Sequence, residues 1–398
     1  MKTALLFLLL TALGQAQSPN VVFCNGNDQA ALQGAINAQA AAITRSGGGG
    51  PVFVAASGVP CQFTTLTLPA MNRGSLMVLI DNPMIGGTIE AGTNTALRCH
   101  SGTSFLGLSG AFLYGPACSI QQTRGLSQPL LDVAGVSQFY AEGINFETTN
   151  VKNPAVVHIH DRAGAGSVYL HFQRCTFGAY PPGLSIVADS SGPSVVSGFG
   201  LKIEDSSIQQ PVALTNFGQV TITHSFMPRL TMTNAGIASD GDLEVDDVLS
   251  EALNNADFLT INQTGGQMAD ITLRRVKLAD TSGNSYLIRE NSSYNSWTPI
   301  LVEQTPVGNV GSGLIDPASA ANQLDLFCIG SVCPAGASGL AGIWRSLYTY
   351  TGLTGRSGLT LFGSQYVSSP LQVCGPPPKG GSAPSCAAGS SASGTGSK

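Results

Sequence analysis

The sequence predicts an all-β solenoid of short stacked strands with one helix at its start, and three observations predict it. A six-residue pattern recurs as AEGINF at Ala141, FQRCTF at Phe172, IEDSSI at Ile203, ITHSFM at Ile222, VDDVLS at Val245 and LRRVKL at Leu273. Its spacing of roughly 20 to 30 residues suits coils that stack on one another. The 398 residues include 49 glycines and 22 prolines and are only 10% charged, a composition for many short strands joined by turns. Only one segment carries a helical period. With 43% hydrophobic residues the chain can bury a sizeable core, and a solenoid of this length can remain one main domain.

Residues 1–16 read as a secretory signal: an early Lys2, an apolar run from Ala4 to Leu13, and small residues at Gly14 and Ala16, after which cleavage is expected. No segment approaches the roughly 18 uninterrupted apolar residues of a membrane span. The one helix is expected over Asn27 to Arg45, with apolar residues at Leu32, Ala35, Ile36 and Ile43 and a cap from Asn27 or Asp28. Gly47 to Gly50 then lead into a strand, PVFVAAS. A helix laid across the first rung hides the open end of a solenoid and denies its edge to other chains.

In this order of helix (Asp28, Ala31, Leu32, Gln33, Ala35, Ile36), glycine run (Gly47 to Gly50) and strand (Val52, Val54), the chain resembles the pectate-lyase-like superfamily, and the rungs extend the likeness to about Asp280. The resemblance implies a right-handed parallel β-helix, expected here over 17–313; from about Leu314 the rung pattern fades, strand signals return at LTLFGSQYV, and a C-terminal β segment over 314–374 is expected to close the solenoid. It says little about activity, because that scaffold carries lyases, hydrolases, epimerases, adhesins and non-catalytic surface proteins. After the first strand the chain departs from the family pattern, with Ser57 to Phe63 where a proline-glycine-tyrosine run is expected, which suggests a disulfide-tied variant.

Export makes the nine cysteines an oxidising-compartment set. Proximity in sequence favours Cys24 with Cys61, Cys99 with Cys118, Cys328 with Cys333 and Cys374 with Cys386. That leaves Cys175, in the inward column shared by Ile144, Ser206, Ser225 and Val248, as a buried and inert thiol. The tail over 375–398 is glycine, serine and proline, a linker or a disordered segment. Without Lys2 there are 17 basic and 23 acidic residues (18 − 1 against 23), and no basic stripe, so nucleic acid is excluded as a partner.

Aligned rungs put Glu142–Gly143, Gln173–Arg174, Glu204–Asp205, Thr223–His224, Asp246–Asp247 and Arg274–Arg275 at one turn on successive coils, roughly 4.8 Å apart. Asp205 and Asp247 would then lie roughly 9 to 10 Å apart, near the upper limit for an inverting glycosidase pair with a water between, and His224 would stand between them. Arg174 and Arg275 would hold a uronate carboxylate, and Trp297 would line a sugar groove. The competing reading is a solvated turn column whose charges stack favourably at a few tenths of a kcal/mol each. The catalytic strings of polygalacturonases and pectate lyases are missing, except that Asp246 and Asp247 echo one of them. In SDGDLEVDD, Asp240, Asp242, Glu244 and Asp246 alternate onto one face, and Asp242, Glu244 and Asp246 are the carboxylates that would hold Ca²⁺. His158 and His160, with Asp161, form an alternating pair that could bind Zn²⁺ or simply sit on the surface. Two functions remain open: a secreted enzyme that cleaves the glycosidic bonds of a polysaccharide with Asp205 and Asp247, or a non-catalytic extracellular adhesin or polysaccharide-binding protein.

Overall fold

The structure is a computed structural model and describes residues 20–47, 49–100, 118–122, 127–148, 155–179, 183–190, 198–235, 242–251, 256–264, 271–279, 286–291 and 298–303, together with short strands between 324 and 367. Each coil runs along three faces. In one coil the first face is Val168–Gln173, the second Thr176–Ala179 and the third Leu184–Asp189. Successive coils pair in parallel: the third faces form a nine-stranded sheet from Thr65–Thr67 to Ile288–Glu290, and the first and second faces belong to one 21-stranded sheet bent between them. The coils wind in the right-handed sense favoured for crossovers between parallel strands. The first faces of Thr298–Glu303 and Leu324–Ile329 still pair in parallel, and Ile343–Ser346 then adds antiparallel.

The recurrent hexapeptide is one rung read six times. Ala141 pairs with Phe172, Phe172 with Ile203, Ile203 with Ile222, Ile222 with Val245 and Val245 with Leu273, so the first residues of all six copies form one inward, fully buried column. Phe139 packs tilted on Phe172 at 5.9 Å and Phe146 stacks on Phe177 at 5.7 Å. Burying such a side chain contributes about 1.5–3 kcal/mol. The third residue of each copy bends the chain from first to second face in the left-handed conformation: Gly143, Arg174, Asp205, His224, Asp247 and Arg275 have φ between 47° and 69°. A second left-handed column, Asn94, Gln138, Tyr169, Gly200 and Gln219, marks the entrance to the first face.

The helix, Gln29–Ser46, seals the first coil as expected, burying Leu32, Ala35, Ile36 and Ile43 and ending at Gly47 in the left-handed region, where only glycine is free of a Cβ penalty. Its polar side chains do the finer work. Asp28 occupies the cap position but does not cap the helix; its carboxylate accepts N–H bonds from Asn25, Gly26 and Gln62. Gln29 Oε1 accepts from Thr64 N and Thr65 N while its Nε2 donates to Thr65 O; Gln33 Oε1 and Nε2 do the same for Thr67 N and O at 2.9 Å. The two amides thus stand in for the missing strand at the edge of the third-face sheet. Disulfides join Cys24 to Cys61 and Cys99 to Cys118, and Cys175 is a free, buried thiol. Cys328 lies on the strand Leu324–Ile329, but its expected partner Cys333, and Cys374 with Cys386, lie outside the described residues, as does the signal segment. Among the described residues no helix is long and apolar enough to cross a membrane.

Candidate functional site

The bend between first and second face carries the column that the sequence singled out. Arg174, Asp205, His224, Asp247 and Arg275 occupy equivalent positions on successive coils, beside the register pairs Glu204 with Thr223 and Thr223 with Asp246. His224 lies between the two aspartates, with Nδ1 3.9 Å from Asp205 and Nε2 4.0 Å from Asp247, too far for direct hydrogen bonds. Their side chains are 44% (Asp205) and 57% (His224, Asp247) accessible, so water reaches all three. Asp and His are also among the residues that tolerate the left-handed conformation best. Backbone geometry alone therefore accounts for their presence in this column.

The residues just before the bend are more tightly held. Glu142 is almost buried and receives ion pairs from Arg98 at 2.7 Å and from Arg174. Asp246 receives Arg275 at 2.6 Å and Arg274 at 3.5 Å. The two arginines read as carboxylate binders thus already hold carboxylates of this chain. Glu204 accepts from His171 at 2.6 Å and Lys202 at 2.9 Å; the Lys202 ammonium chiefly, with His171, holds its carboxyl below the ordinary value against the opposing effect of burial. On the inner side of the same bend, burial pushes the Cys175 thiol up to about 12, while Ser206 and Ser225 turn their hydroxyls back to Glu204 O and Thr223 O. The thiol is inert, as the inward column implied.

The outer side of the first face is a continuous polar track. Tyr140, His171, Lys202, Thr221, Glu244 and Thr272 follow one another in register. Toward its far end lies an open depression of about 480 Å³ whose polar lining is Gln219, Thr221, Asp242, Glu244, Thr272 and Arg274. Gln219 belongs to the left-handed entrance column, and two coils earlier that column holds Tyr169 at φ 56°. Tyr169 is 58% exposed and meets Phe199 edge-on at 5.3 Å. Gly200, next in the column, leaves room for it: a Cβ there would come within 3.3 Å of the Tyr169 ring. A bulky residue at positive φ is unusual and costs of order 1 kcal/mol or more. Sequence reading missed this column, since Gln and Tyr carry no turn signature.

The remaining candidates fall in three places. Glu244 and Asp246 share the outward side of the strand Leu243–Glu251, with Asp242 just before it, but Asp246 is held by two arginines and Glu244 lies 3.7 Å from Arg274. Asp240 and Trp297 lie outside the described residues. His158 and His160 stack on the third face with ring centroids 4.4 Å apart, paired with Asp189 and Asp132, two partners that sequence reading missed. The His160 ring is held above its ordinary pKa mainly by the hydrogen bond to Asp132, against burial. Asp161 accepts instead from Ser190 Oγ at 2.7 Å.

No protein-family model and no curated protein matches this chain. Among solved structures it is similar to PfbA, a surface adhesin of Streptococcus pneumoniae, at 10% identity and a TM-score of 0.33 over 84% of this chain and 95% of that one. It is also similar to tailspike protein 2 of the Escherichia coli O157:H7 bacteriophage CAB120, at 9% identity and a TM-score of 0.34 over 77% of this chain and 41% of that one. This chain is a right-handed parallel β-helix. The β-helix is established by its own strand pairing, and likenesses this distant carry no argument about the residues of its site.

Proposed function

We propose that this β-helix is an extracellular protein that binds an extended polysaccharide, without cleaving it, along the outer side of its first face. The observation that carries the reading is Tyr169, an exposed aromatic ring held in a costly left-handed conformation on the same column as Gln219 at the edge of the polar depression. An exposed ring offers a flat apolar platform for a sugar, and the depression offers hydroxyl, amide, carboxylate and guanidinium groups for its hydroxyls. Strand spacing repeats this chemistry about every 4.8 Å, which suits a polymer better than a compact ligand. The depression is open and polar, unlike the enclosed, mostly apolar pockets that small molecules favour. Asp242 and Glu244 on its wall are where Ca²⁺ would bridge protein and sugar. Two disulfides support an oxidising, extracellular setting.

A second reading, a polysaccharide hydrolase or lyase, is favoured by the two carboxylates flanking His224, with Asp205 and Asp247 as acid and base. Against it stands the exposure of all three side chains: among the described residues, none covers the bend from water. Binding is tested by retardation in native gels containing plant, algal and microbial polysaccharides, with and without Ca²⁺. Tyr169→Gly, which relieves the backbone while removing the ring, should fold at least as stably as wild type and lose affinity about tenfold. Thr221→Arg should fill the depression and do the same, and Asp205→Asn should change nothing. No retardation by any polysaccharide, or retardation indifferent to both Tyr169→Gly and Thr221→Arg, overturns the proposal.

A further inference from the structure

We propose that Asp132, His158 and His160, on the outer side of the third face, form a binding site for a divalent transition-metal ion of the zinc class, with Asp189 as its fourth ligand. His158 and His160 alternate on the strand Ala155–His160, so both rings leave the same side of the sheet. Asp132 stands directly opposite His158 on the preceding coil, and Asp189 follows Ala188, the partner of Ile159, on the next coil. The carboxylates therefore close on the ring pair from both sides, with His160 Nε2 2.8 Å from Asp132 Oδ1 and His158 Nε2 3.1 Å from Asp189 Oδ2. One ligand atom each from Asp132, His158 and His160 falls within 4.8 Å of the others. Bonds of about 2.0–2.2 Å to a central ion require separations of about 3.3–3.5 Å, within reach of small side-chain rotations.

A backbone carbonyl also holds the far nitrogen of His160. His160 Nδ1 lies 3.1 Å from the Asp161 carbonyl oxygen, which only an N–H can satisfy. With that nitrogen committed as donor, Nε2 is the ring nitrogen turned toward the Asp132 carboxylate, 2.8 Å away, and the one left to ligate an ion. A backbone carbonyl fixing the far nitrogen is the arrangement that orients and strengthens a metal-binding histidine. Imidazole and carboxylate together favour zinc or its neighbours in the first transition series over calcium, which takes oxygen ligands. The side chains of Asp132, His158 and His160 are 27–29% accessible, so an ion can enter without unfolding the sheet.

The test is calorimetric titration of the untagged, chelator-treated chain with ZnCl₂, paired with the visible spectrum of the same protein titrated with Co²⁺. The expected result is one ion per chain with a tetrahedral Co²⁺ spectrum, lost by about a hundredfold in affinity in both His158→Gln and His160→Gln and retained in His224→Gln. Asp132→Asn serves where either histidine variant loses its far-ultraviolet circular dichroism. Absence of saturable Zn²⁺ binding, which would leave a proton as the only cation between His160 and Asp132, overturns the site. So does binding that survives His158→Gln and His160→Gln but disappears in His224→Gln.

Discussion

Among the described residues, the bend brings one histidine together with two aspartates and the third face brings two histidines together with two, and these clusters could hardly differ more in tightness. At the bend, His224 is more than half exposed and sits 3.9 and 4.0 Å from its neighbours; on the third face, His160 is 29% exposed and 2.8 Å from Asp132. The bend residues leave a left-handed backbone at a corner, whereas the third-face residues stand side by side on a pleated surface, where cross-strand and alternate positions run parallel. Alignment along the solenoid brings residue types together, and local backbone shape decides whether they bond. The column most visible in the sequence is thus the looser of the two.

The scaffold common to both places gives the largest expected effect. Phe172→Ala, in the buried column that sets the register of the rungs, should cost about 3–5 kcal/mol in denaturant unfolding. A cost below 1 kcal/mol would mean that the inner column does not hold the coils. The contrast itself is sharpened by glycine. In metal-free protein His160→Gly should destabilise by about 1–2 kcal/mol, losing a charged hydrogen bond and strand preference, while His224→Gly should be neutral or stabilise by up to about 1 kcal/mol by relieving the left-handed bend. Equal losses at the two positions would contradict the distinction.

Two neighbours in one rung, Glu204 and Asp205, differ in the same way. The folded pKa of Glu204 is depressed, chiefly by Lys202, so its contribution is present above the unfolded value of about 4.3 and is lost as pH falls through the lower folded value. Glu204→Gln should therefore flatten the acid limb of the stability curve below about pH 4.3, and Asp205→Asn should leave that limb unchanged. A limb that is equally steep in wild type and Glu204→Gln would show that the Lys202 and His171 contacts do not form in solution. The smallest effect is expected at Cys175, whose thiol burial pushes up to about 12: iodoacetamide at pH 8 should leave it unmodified in native protein and label it after unfolding. Labelling of the folded chain at the rate of a free thiol would place Cys175 outside the core.

Much of the fold was legible because a solenoid turns sequence spacing into space. The hexapeptide starting at Ala141 reappears as a buried column, the third residue of each copy as the bend, and Cys175 as an inward thiol. The helix was legible from Leu32, Ala35, Ile36 and Ile43. Its edge-pairing glutamines were not, because Gln29 and Gln33 belong to its polar side and their partners lie more than 30 residues away. Tyr169 and Gln219 escaped notice since neither residue type announces a positive φ. Asp132 and Asp189 escaped because third-face strands follow loops of unequal length, so their register with His158 and His160 cannot be counted along the chain.

The most direct test is release of reducing ends, and of the ultraviolet absorbance of unsaturated uronides, from a polysaccharide that retards the protein in native gels, comparing wild type with Asp205→Asn and Asp247→Asn. A binding β-helix releases neither product in any of the three proteins while remaining bound. Turnover by wild type that vanishes in either variant would make the bend a catalytic centre and contradict the proposed function.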